Sequence, residues 1–347
     1  MNKPAKFISA TTVLLAALSL TACGTQPAVD TTNPMPAAVT ETGMTLDWGP
    51  DVKQQALEMI NGSAHMAYLD IYELSDPDIL QALVNARQRG VDVRVVVDAT
   101  ESHSQDTAVP TLQKAGVPIT SLPIHQGICH IKMLITDGKT AGVLIGGMNF
   151  GASSWQNNDA SVYLSQPNPS FLGVFRWDWQ RSQNQPAAAP STQLPLLTDT
   201  QIGPAVVTAI SRAQKSVRLE GFDVSDYDVI DALEADARRG VQVQVLLDPN
   251  QYLNTKTATT LRAAGMTVRF YRTYQNEWMH AKIVDVDEGK CFIIGSANFS
   301  HQAYTYNHEG DLELTNVPAF DKSLQQNLSV QLARGTDTPV TNSDSGN

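Results

Sequence analysis

Two clusters of histidine, lysine, aspartate and asparagine carry the chemistry that this sequence could perform. They comprise His130, Lys132, Asp137 and Asn149 in one place and His280, Lys282, Asp287 and Asn298 in another. In both clusters the histidine and the lysine are two residues apart, so on a strand their side chains project from the same face. An imidazole held beside a cation is suited to a reaction at an anionic centre.

Phosphodiester cleavage needs a nucleophile, an acid for the leaving oxygen, and fixed positive charge around the non-bridging oxygens. If the two clusters meet, one histidine can attack phosphorus while the other protonates the departing alcohol. The lysines stand where many phosphotransferases place a divalent metal. We therefore predict a phosphodiesterase that needs no metal and no cofactor, and the spacing leaves open which histidine attacks.

The clusters belong to an internal repeat. His130 and His280 are 150 residues apart, and residues 75–79 and 89–93 recur at the same offset as 225–229 and 239–243. A shared offset across separate segments indicates a duplicated domain rather than a solenoid. We expect the active site to need both copies.

The same order of elements is predicted in each copy. Residues 66–74 and 217–224 favour strands, and each is followed by a stretch with apolar residues at helical spacing. Gly90 and Gly240 then stand where a left-handed helix cap is expected. Strand, helix, strand, helix, strand predicts the α/β class, with two tandem α/β sandwich domains related by a pseudo-two-fold axis and an active site at their interface.

The doubled pattern H-x-K-x4-D with a trailing G-[GS]-x-N resembles the phospholipase D superfamily. The resemblance covers residues 46 to 335, which include both copies. It implies that His130 forms a covalent phosphohistidine and that His280 acts as general acid and then as general base for water. It also implies that four side chains hold the phosphoryl oxygens: Lys132, Lys282, Asn149 and Asn298.

Supporting roles follow from the same resemblance. Asp137 and Asp287 are expected to be structural supports near a strand turn, with Gly147 and Ser296 as further motif positions. Asp159 and Glu309 are the carboxylates expected to orient the histidines. Two departures stand out: the spacing from aspartate to glycine is eight residues in copy one and seven in copy two, and Gly147 replaces the serine seen at Ser296.

For the remaining histidines and the tryptophans we predict no catalytic role. His65, His103, His125, His301 and His308 are expected at the surface or behind the site. Trp155, Trp177, Trp179 and Trp278 could line a lipid-facing opening, although Trp177 and Trp179 also fit a packed helix.

The N-terminus has the features of a bacterial lipoprotein signal. Lys3 and Lys6 precede an apolar run too short to span a membrane, and the order Leu-Thr-Ala-Cys resembles a lipobox ending at Cys23. Acylation at Cys23 would leave a mature chain of net charge −11 − 2 = −13 and place the protein in the bacterial cell envelope, tethered to a membrane outside the cytoplasm. Cys129 and Cys291 are expected to be free thiols, although they could pair in an oxidising compartment.

The predicted domain boundaries follow from composition. They are a signal peptide over 1–22, a flexible linker over 23–45, domain one over 46–182, a linker over 183–195, domain two over 196–334, and a disordered tail over 335–347.

The acidic balance separates the candidate substrates. With 24 Lys and Arg against 35 Asp and Glu, a nucleic-acid partner is disfavoured. Membrane phospholipid, cleaved by water or transferred to an alcohol, is the expected substrate of a monomeric enzyme. An envelope nuclease or other phosphodiesterase is the alternative, and a phosphate-binding scaffold is a third hypothesis that the intact motifs disfavour.

Overall fold

The central strands are short runs of aliphatic residues that are buried on both faces. The computed structural model describes residues 34–275 and 277–341, together with Met1. In the strand Lys132–Thr136, Met133 and Ile135 enter one core while Leu134 enters another. Burial on both faces explains why these strands are continuous apolar runs rather than alternating patterns.

The first half forms one mixed sheet with the order β1-β2-β8-β7-β6-β3-β4-β5. Its strands are β1 (Val39–Glu41), β2 (Met44–Trp48), β3 (Met66–Ile71), β4 (Asp92–Asp98), β5 (Ile119–Leu122), β6 (Lys132–Thr136), β7 (Gly142–Gly146) and β8 (Ala160–Leu164). Strands β3, β4 and β5 are parallel, whereas β6, β7 and β8 continue the sheet in antiparallel pairs.

The second half repeats this sheet with the order β12-β11-β10-β13-β14-β15-β9. Its strands are β9 (Leu196–Thr198), β10 (Ser216–Gly221), β11 (Gln242–Leu247), β12 (Thr267–Phe270), β13 (Lys282–Val286), β14 (Cys291–Gly295) and β15 (Gly310–Thr315). Reversed, the order matches that of the first half strand for strand from β2 to β5. The predicted duplication is therefore a duplication of topology as well as of sequence.

Helices cover the sheets and connect the parallel strands. Those of the first half are α1 (Pro50–Gly62), α2 (Pro77–Gln88), α3 (Val109–Lys114) and α4 (Ser170–Ser182), and those of the second are α5 (Ile202–Ser211), α6 (Tyr227–Arg238), α7 (Tyr252–Ala263), α8 (His301–Thr305) and α9 (Pro318–Arg334). Asp76 and Asp226 cap α2 and α6 by accepting two backbone N–H bonds each. Gly90 and Gly240 follow with φ of 90° and 85°, the left-handed conformation predicted for them.

Three hydrophobic clusters organise the interior. One lies between the first sheet and its outer helices α1, α2 and α3, and a second lies between the second sheet and α5, α6 and α7. The third is shared, because it contains the inner faces of both sheets together with residues of α4 and α9. The two halves are thus joined through a common core.

The edges of the halves differ from the boundaries predicted by composition. Strand β1 and the start of β2 lie inside the predicted linker 23–45, where β2 pairs with β8 and β1 pairs with β2 at the sheet edge. Thr336, in the predicted tail, pairs with Phe270 beyond β12. Residues 185–195 contain no helix or strand, as a linker requires. The predicted signal peptide and Cys23 lie outside the described residues.

Candidate active site

The two histidines are held by backbone bonds from the opposite half. Lys132 and Lys282 are the first residues of β6 and β13, so each histidine lies just before a central strand. The N–H of His130 donates to the carbonyl oxygen of His308 at 2.8 Å, and the N–H of His280 donates to that of Asn158 at 2.9 Å. These reciprocal bonds bring both clusters to one interface.

Each histidine ring also bonds a carboxylate from the opposite half. The Nδ1 atom of His130 lies 2.9 and 3.0 Å from the two carboxylate oxygens of Glu309. The Nδ1 atom of His280 lies 2.6 Å from Oδ2 of Asp159. Both carboxylates are buried. The Nε2 atom of each ring takes part in none of these bonds, which leaves it as the reactive nitrogen.

Charge at the first pair favours a neutral histidine beside an ionised glutamate. Burial alone would raise the pKa of Glu309, but His130, Lys132 and the hydroxyl of Ser296 outweigh it and lower that pKa to about 2. Burial, with the nearby charges of Lys132 and Lys282, lowers the pKa of His130. At neutral pH the Nδ1–H group of His130 therefore donates a hydrogen bond to the Glu309 carboxylate, and Nε2 keeps its lone pair.

The two lysines are buried, and no carboxylate in the described part of the chain lies within hydrogen-bond distance of them. Lys132 is 2% exposed and Lys282 is 1% exposed, and each Nζ donates to the backbone carbonyl of its own histidine. Burial lowers the pKa of Lys132 to about 7, with a contribution from the charge of Lys282, and burial lowers the pKa of Lys282 to about 8. A bound anion would relieve this cost, so the pair is suited to a phosphoryl group.

The two asparagines occupy equivalent positions in the two halves. Asn149 and Asn298 each follow the central strand next to the histidine's own strand, β7 and β14. In both, the buried Oδ1 atom has no partner among the described residues. A buried amide oxygen left unsatisfied indicates a position for a polar ligand.

The position of Asp159 explains the glycine that departs from the motif. Ser296 donates its hydroxyl to Glu309 at 2.5 Å in the second half. At Gly147, the equivalent place in the first half, an added Cβ would lie 2.3 Å from Oδ1 of Asp159. A serine at Gly147 would therefore collide with the carboxylate that contacts His280.

The carboxylates of the motif aspartates bind backbone N–H groups and not His130 or His280. The carboxylate of Asp137 accepts N–H bonds from Ala64, His65 and Met66, at the start of β3. Asp287 accepts the same set from Gln214, Lys215 and Ser216 at the start of β10. Both carboxylates tie the end of a central strand to its neighbour.

We expect Asp137→Ala to lower the free energy of unfolding by about 2 kcal/mol, since it removes three charge-assisted hydrogen bonds. Turnover per folded molecule should change little, because Asp137 contacts no reacting group. Urea unfolding together with active-site titration measures both quantities. Asp287→Ala is the matched variant and should behave alike, whereas a loss of turnover without a loss of stability would contradict the supporting role.

Aromatic rings and a second pair of aspartates were missed by the sequence argument. Tyr72 packs edge-on against His130 with ring centroids 5.0 Å apart, and Phe222 packs against His280 at 4.9 Å. Asp98 accepts the N–H of Cys129 at 2.6 Å and Asp248 accepts that of Met279 at 3.1 Å. Each pair is 150 residues apart, so the repeat offset was the available signal.

His308 lies in a buried acidic network behind Glu309. Its Nε2 lies 3.0 Å from Asp178 and its Nδ1 lies 2.8 Å from Asp199. Burial lowers the pKa of His308, but the two aspartates outweigh it and raise it to about 10. Asn158 takes the equivalent place in the first half and donates to Glu220 at 2.9 Å.

Among the described residues, one group has the spacing of a metal site, namely Asp70, Asp178 and His308. Both ring nitrogens of His308 are already bonded to carboxylates, and its raised pKa keeps the ring doubly protonated. A doubly protonated imidazole has no lone pair for a metal. The group is therefore a buried ion network, and its residues do not fit a metal.

The network predicts a pH-dependent contribution to stability. The pKa of His308 is raised on folding from 6.5 to about 10, so its contribution is full below pH 6.5 and is lost as pH rises towards 10. Urea unfolding between pH 6 and 10 should show a difference of a few kcal/mol between wild type and His308→Asn that shrinks with rising pH. Parallel curves for the two proteins would contradict a charged His308.

The cysteines and tryptophans differ in burial. Cys129 and Cys291 are free thiols, the first buried and the second partly exposed. Trp155 is buried with its Nε1 donating to Asp76, and Trp177 and Trp179 are half-buried on α4. Trp278 is exposed and lies 6.0 Å from Phe222 between ring centroids.

No helix in the described part of the chain combines the length and apolarity needed to cross a bilayer.

The sequence is similar to known cardiolipin synthases and phospholipases D. A family model described as cardiolipin synthase, PLD-like domain, matches residues 56–176 and 206–330. The cardiolipin synthase of Clostridium perfringens is 23% identical over 326 residues, covering 79% of this chain and 66% of that protein. The phospholipase D of Rickettsia prowazekii is 32% identical over 108 residues, covering 31% of this chain and 51% of that protein. The chain thus spans just under two thirds of the cardiolipin synthase.

Solved structures share the fold. The phosphatidylserine synthase of Haemophilus influenzae superposes with a TM-score of 0.64 at 15% identity, covering 86% of this chain and 89% of that one. A polyphosphate kinase from Porphyromonas gingivalis gives 0.62 at 17% identity, covering 84% and 47%. The α/β class with two repeats, predicted from the sequence, is confirmed.

Proposed function

Because the chain belongs to the PLD-like domain family of cardiolipin synthase, we propose that it is a phosphodiesterase that cleaves or transfers the phosphatidyl group of membrane phospholipids. The observation that carries this proposal is the arrangement of two histidine–carboxylate pairs around two buried lysines. A phosphodiester carries one negative charge and loses one alcohol when it is cleaved. The lysines can bind the charge, and a histidine can protonate the alcohol.

In the first step Nε2 of His130 attacks phosphorus, and the bond from phosphorus to the leaving alcohol oxygen breaks. His280 gives its Nε2 proton to that oxygen, and Glu309 stabilises the positive charge that develops on His130. The product is a phosphohistidine and a free alcohol. In the second step His280 takes a proton from water or from a second alcohol, which attacks phosphorus and releases His130.

Substrate binding prepares His280 for its acid role. Burial and the charge of Lys282 lower the pKa of His280 to about 4 in the empty site, which would leave it unprotonated at neutral pH. A phosphodiester anion beside Lys132 and Lys282 neutralises part of that repulsion and raises the pKa of His280. The asparagine amides and the lysines then stabilise the non-bridging oxygens as charge accumulates on them.

The test is an assay of the purified protein in EDTA on phosphatidylcholine, phosphatidylglycerol, cardiolipin and plasmid DNA. We expect cleavage of phospholipid that EDTA leaves unchanged, because two lysines supply the positive charge. Cleavage of DNA alone would overturn the lipid assignment and favour an envelope nuclease. Including a primary alcohol such as ethanol distinguishes hydrolysis from transfer, since only transfer yields a phosphatidyl ester of that alcohol.

Attachment to a membrane through Cys23 is part of the proposal. It rests on the order Leu-Thr-Ala-Cys and on the charged and apolar residues that precede it. Acyl chains there would hold a monomeric catalytic body at the surface of its substrate, in the bacterial cell envelope. Metabolic labelling with radioactive palmitate tests this, because Cys23→Ala should abolish the label.

A further inference from the structure

Exposed aromatic and aliphatic side chains gather on the second half of the protein. We name them the aromatic rim, and they are Tyr227, Tyr252, Leu253, Trp278 and Tyr306. Tyr252 is 82% exposed and Tyr227 is 70% exposed. Large apolar side chains that stay in water next to one another need an explanation.

Part of the rim shares one cavity, and its Trp278 side adjoins the active site. Tyr227, Leu253 and His301 line one cavity of about 490 Å³, and His301 lies 5.8 Å from the ring of Tyr306. On the other side, Trp278 contacts Phe222, which contacts His280. The Nδ2 of Asn254 donates to the carbonyl of Phe222 at 2.8 Å and so ties the start of α7 to this side.

The first half lacks the rim, and its backbone differs locally, with a π-helical turn at Ser104–Ala108 before α3 where the second half has α7. The positions that correspond at an offset of 150 are Pro77, Ser102, His103, Ile128 and Gln156. Ser102, His103 and Gln156 are exposed and polar. The halves therefore differ at the rim both in side chains and in local helix geometry, while the order of the sheet strands is shared.

The two halves also differ in charge at the rim. Lys256 lies on the rim, with Nζ 5.6 Å from the centre of the Tyr227 ring, and the corresponding residue of the first half is Asp106. Asp223 and Asp231 line the cavity too, so the rim is not strongly cationic. A lysine among tyrosine and tryptophan rings is typical of surfaces that sit at the level of phospholipid head groups.

We propose that the aromatic rim is the face by which the protein docks on a zwitterionic phospholipid bilayer. The rings and Leu253 would enter the head-group region, with Lys256 near lipid phosphates. The net charge of −11 opposes binding to an anionic bilayer, so apolar contact supplies the attraction. This inference rests on the proposed function, because it places the side of the protein that holds Trp278, Phe222 and His280 against the layer that contains the substrate.

The experiment uses the compact unit Thr32–Asn347, which holds all of the described strands and core clusters and excludes Cys23. Vesicles of phosphatidylcholine are mixed with this protein and recovered by flotation. The variant Tyr252→Ser/Leu253→His carries the first half's residues at the rim and should weaken binding by about tenfold. The matched control Ser102→Ala/His103→Ala should leave binding unchanged.

A second readout places the rim in the lipid. Brominated phosphatidylcholine should quench tryptophan fluorescence, and the quenching should be lost in Trp278→Phe. Absence of wild-type binding, equal binding of the rim variant, or a dimer broken by the rim substitutions would overturn the docking face. Vesicle binding that follows these variants while no phospholipid is cleaved would uphold the face and overturn the proposed function.

Discussion

His130→Ala should lower turnover of a phosphodiester substrate by at least about 10⁴-fold while the protein stays folded. The substitution removes the nitrogen that attacks phosphorus, and no neighbouring group can replace it. The backbone N–H of residue 130 can still donate to the carbonyl oxygen of His308 in the other half, so the interface should remain assembled. Steady-state assays, with circular dichroism and thermal unfolding as the folding control, measure the effect.

His280→Ala is the matched variant that separates the two histidine roles. With an alkyl leaving group it should also lose turnover, because no acid protonates the departing oxygen. With a p-nitrophenyl ester, whose leaving group needs no proton, His280→Ala should still release one equivalent of nitrophenol, and the phosphohistidine should accumulate for detection by intact mass. A burst from His130→Ala and none from His280→Ala would reverse the assignment.

The second large effect is expected from Glu309→Gln, with kcat falling by about 10²- to 10³-fold. Glutamine keeps the shape of Glu309 but removes the charge that stabilises His130 as it becomes cationic. Loss of that charge lowers the pKa of His130, so the acidic limb of the kcat/KM profile should move to lower pH. Measuring kcat/KM between pH 4 and 9 for both proteins tests this.

Asp159→Asn provides the control for that experiment. Asp159 contacts His280, so its replacement should slow the first step with an alkyl leaving group and affect the first-step burst of nitrophenol from a p-nitrophenyl ester much less. Glu309→Gln should slow both. Equal sensitivity of the two variants to the leaving group would contradict distinct roles for the two histidines.

The sequence predicted most of what lies inside a repeat. The strands that begin at Lys132 and Lys282 follow from runs of apolar residues, and the caps at Gly90 and Gly240 follow from a conformation that glycine adopts freely. The family resemblance is confirmed by the match of both repeats. These features depend on neighbours in sequence, which is why they could be predicted.

The contacts between repeats could not be predicted. Nothing in the spacing of Asp159 and Glu309 indicates that each carboxylate binds the histidine of the other half, because that depends on how the two sheets pack. The same holds for His308, whose charge comes from Asp178 and Asp199. The strand at residues 39–41 was missed since an edge strand needs little apolar character.

The crossed carboxylates bear on how such a protein could have arisen. A single ancestral repeat that paired with its own copy would have completed each histidine with its partner's carboxylate, so a symmetric dimer could have worked before the genes fused. After fusion the two sides were free to diverge, but only as matched sets across the boundary. Gly147 and Asp159 lie in the first repeat and act on His280 of the second, whereas Ser296 and Glu309 lie in the second repeat and act on His130 of the first. A substitution in the set of one repeat would therefore change activity through the histidine of the other repeat.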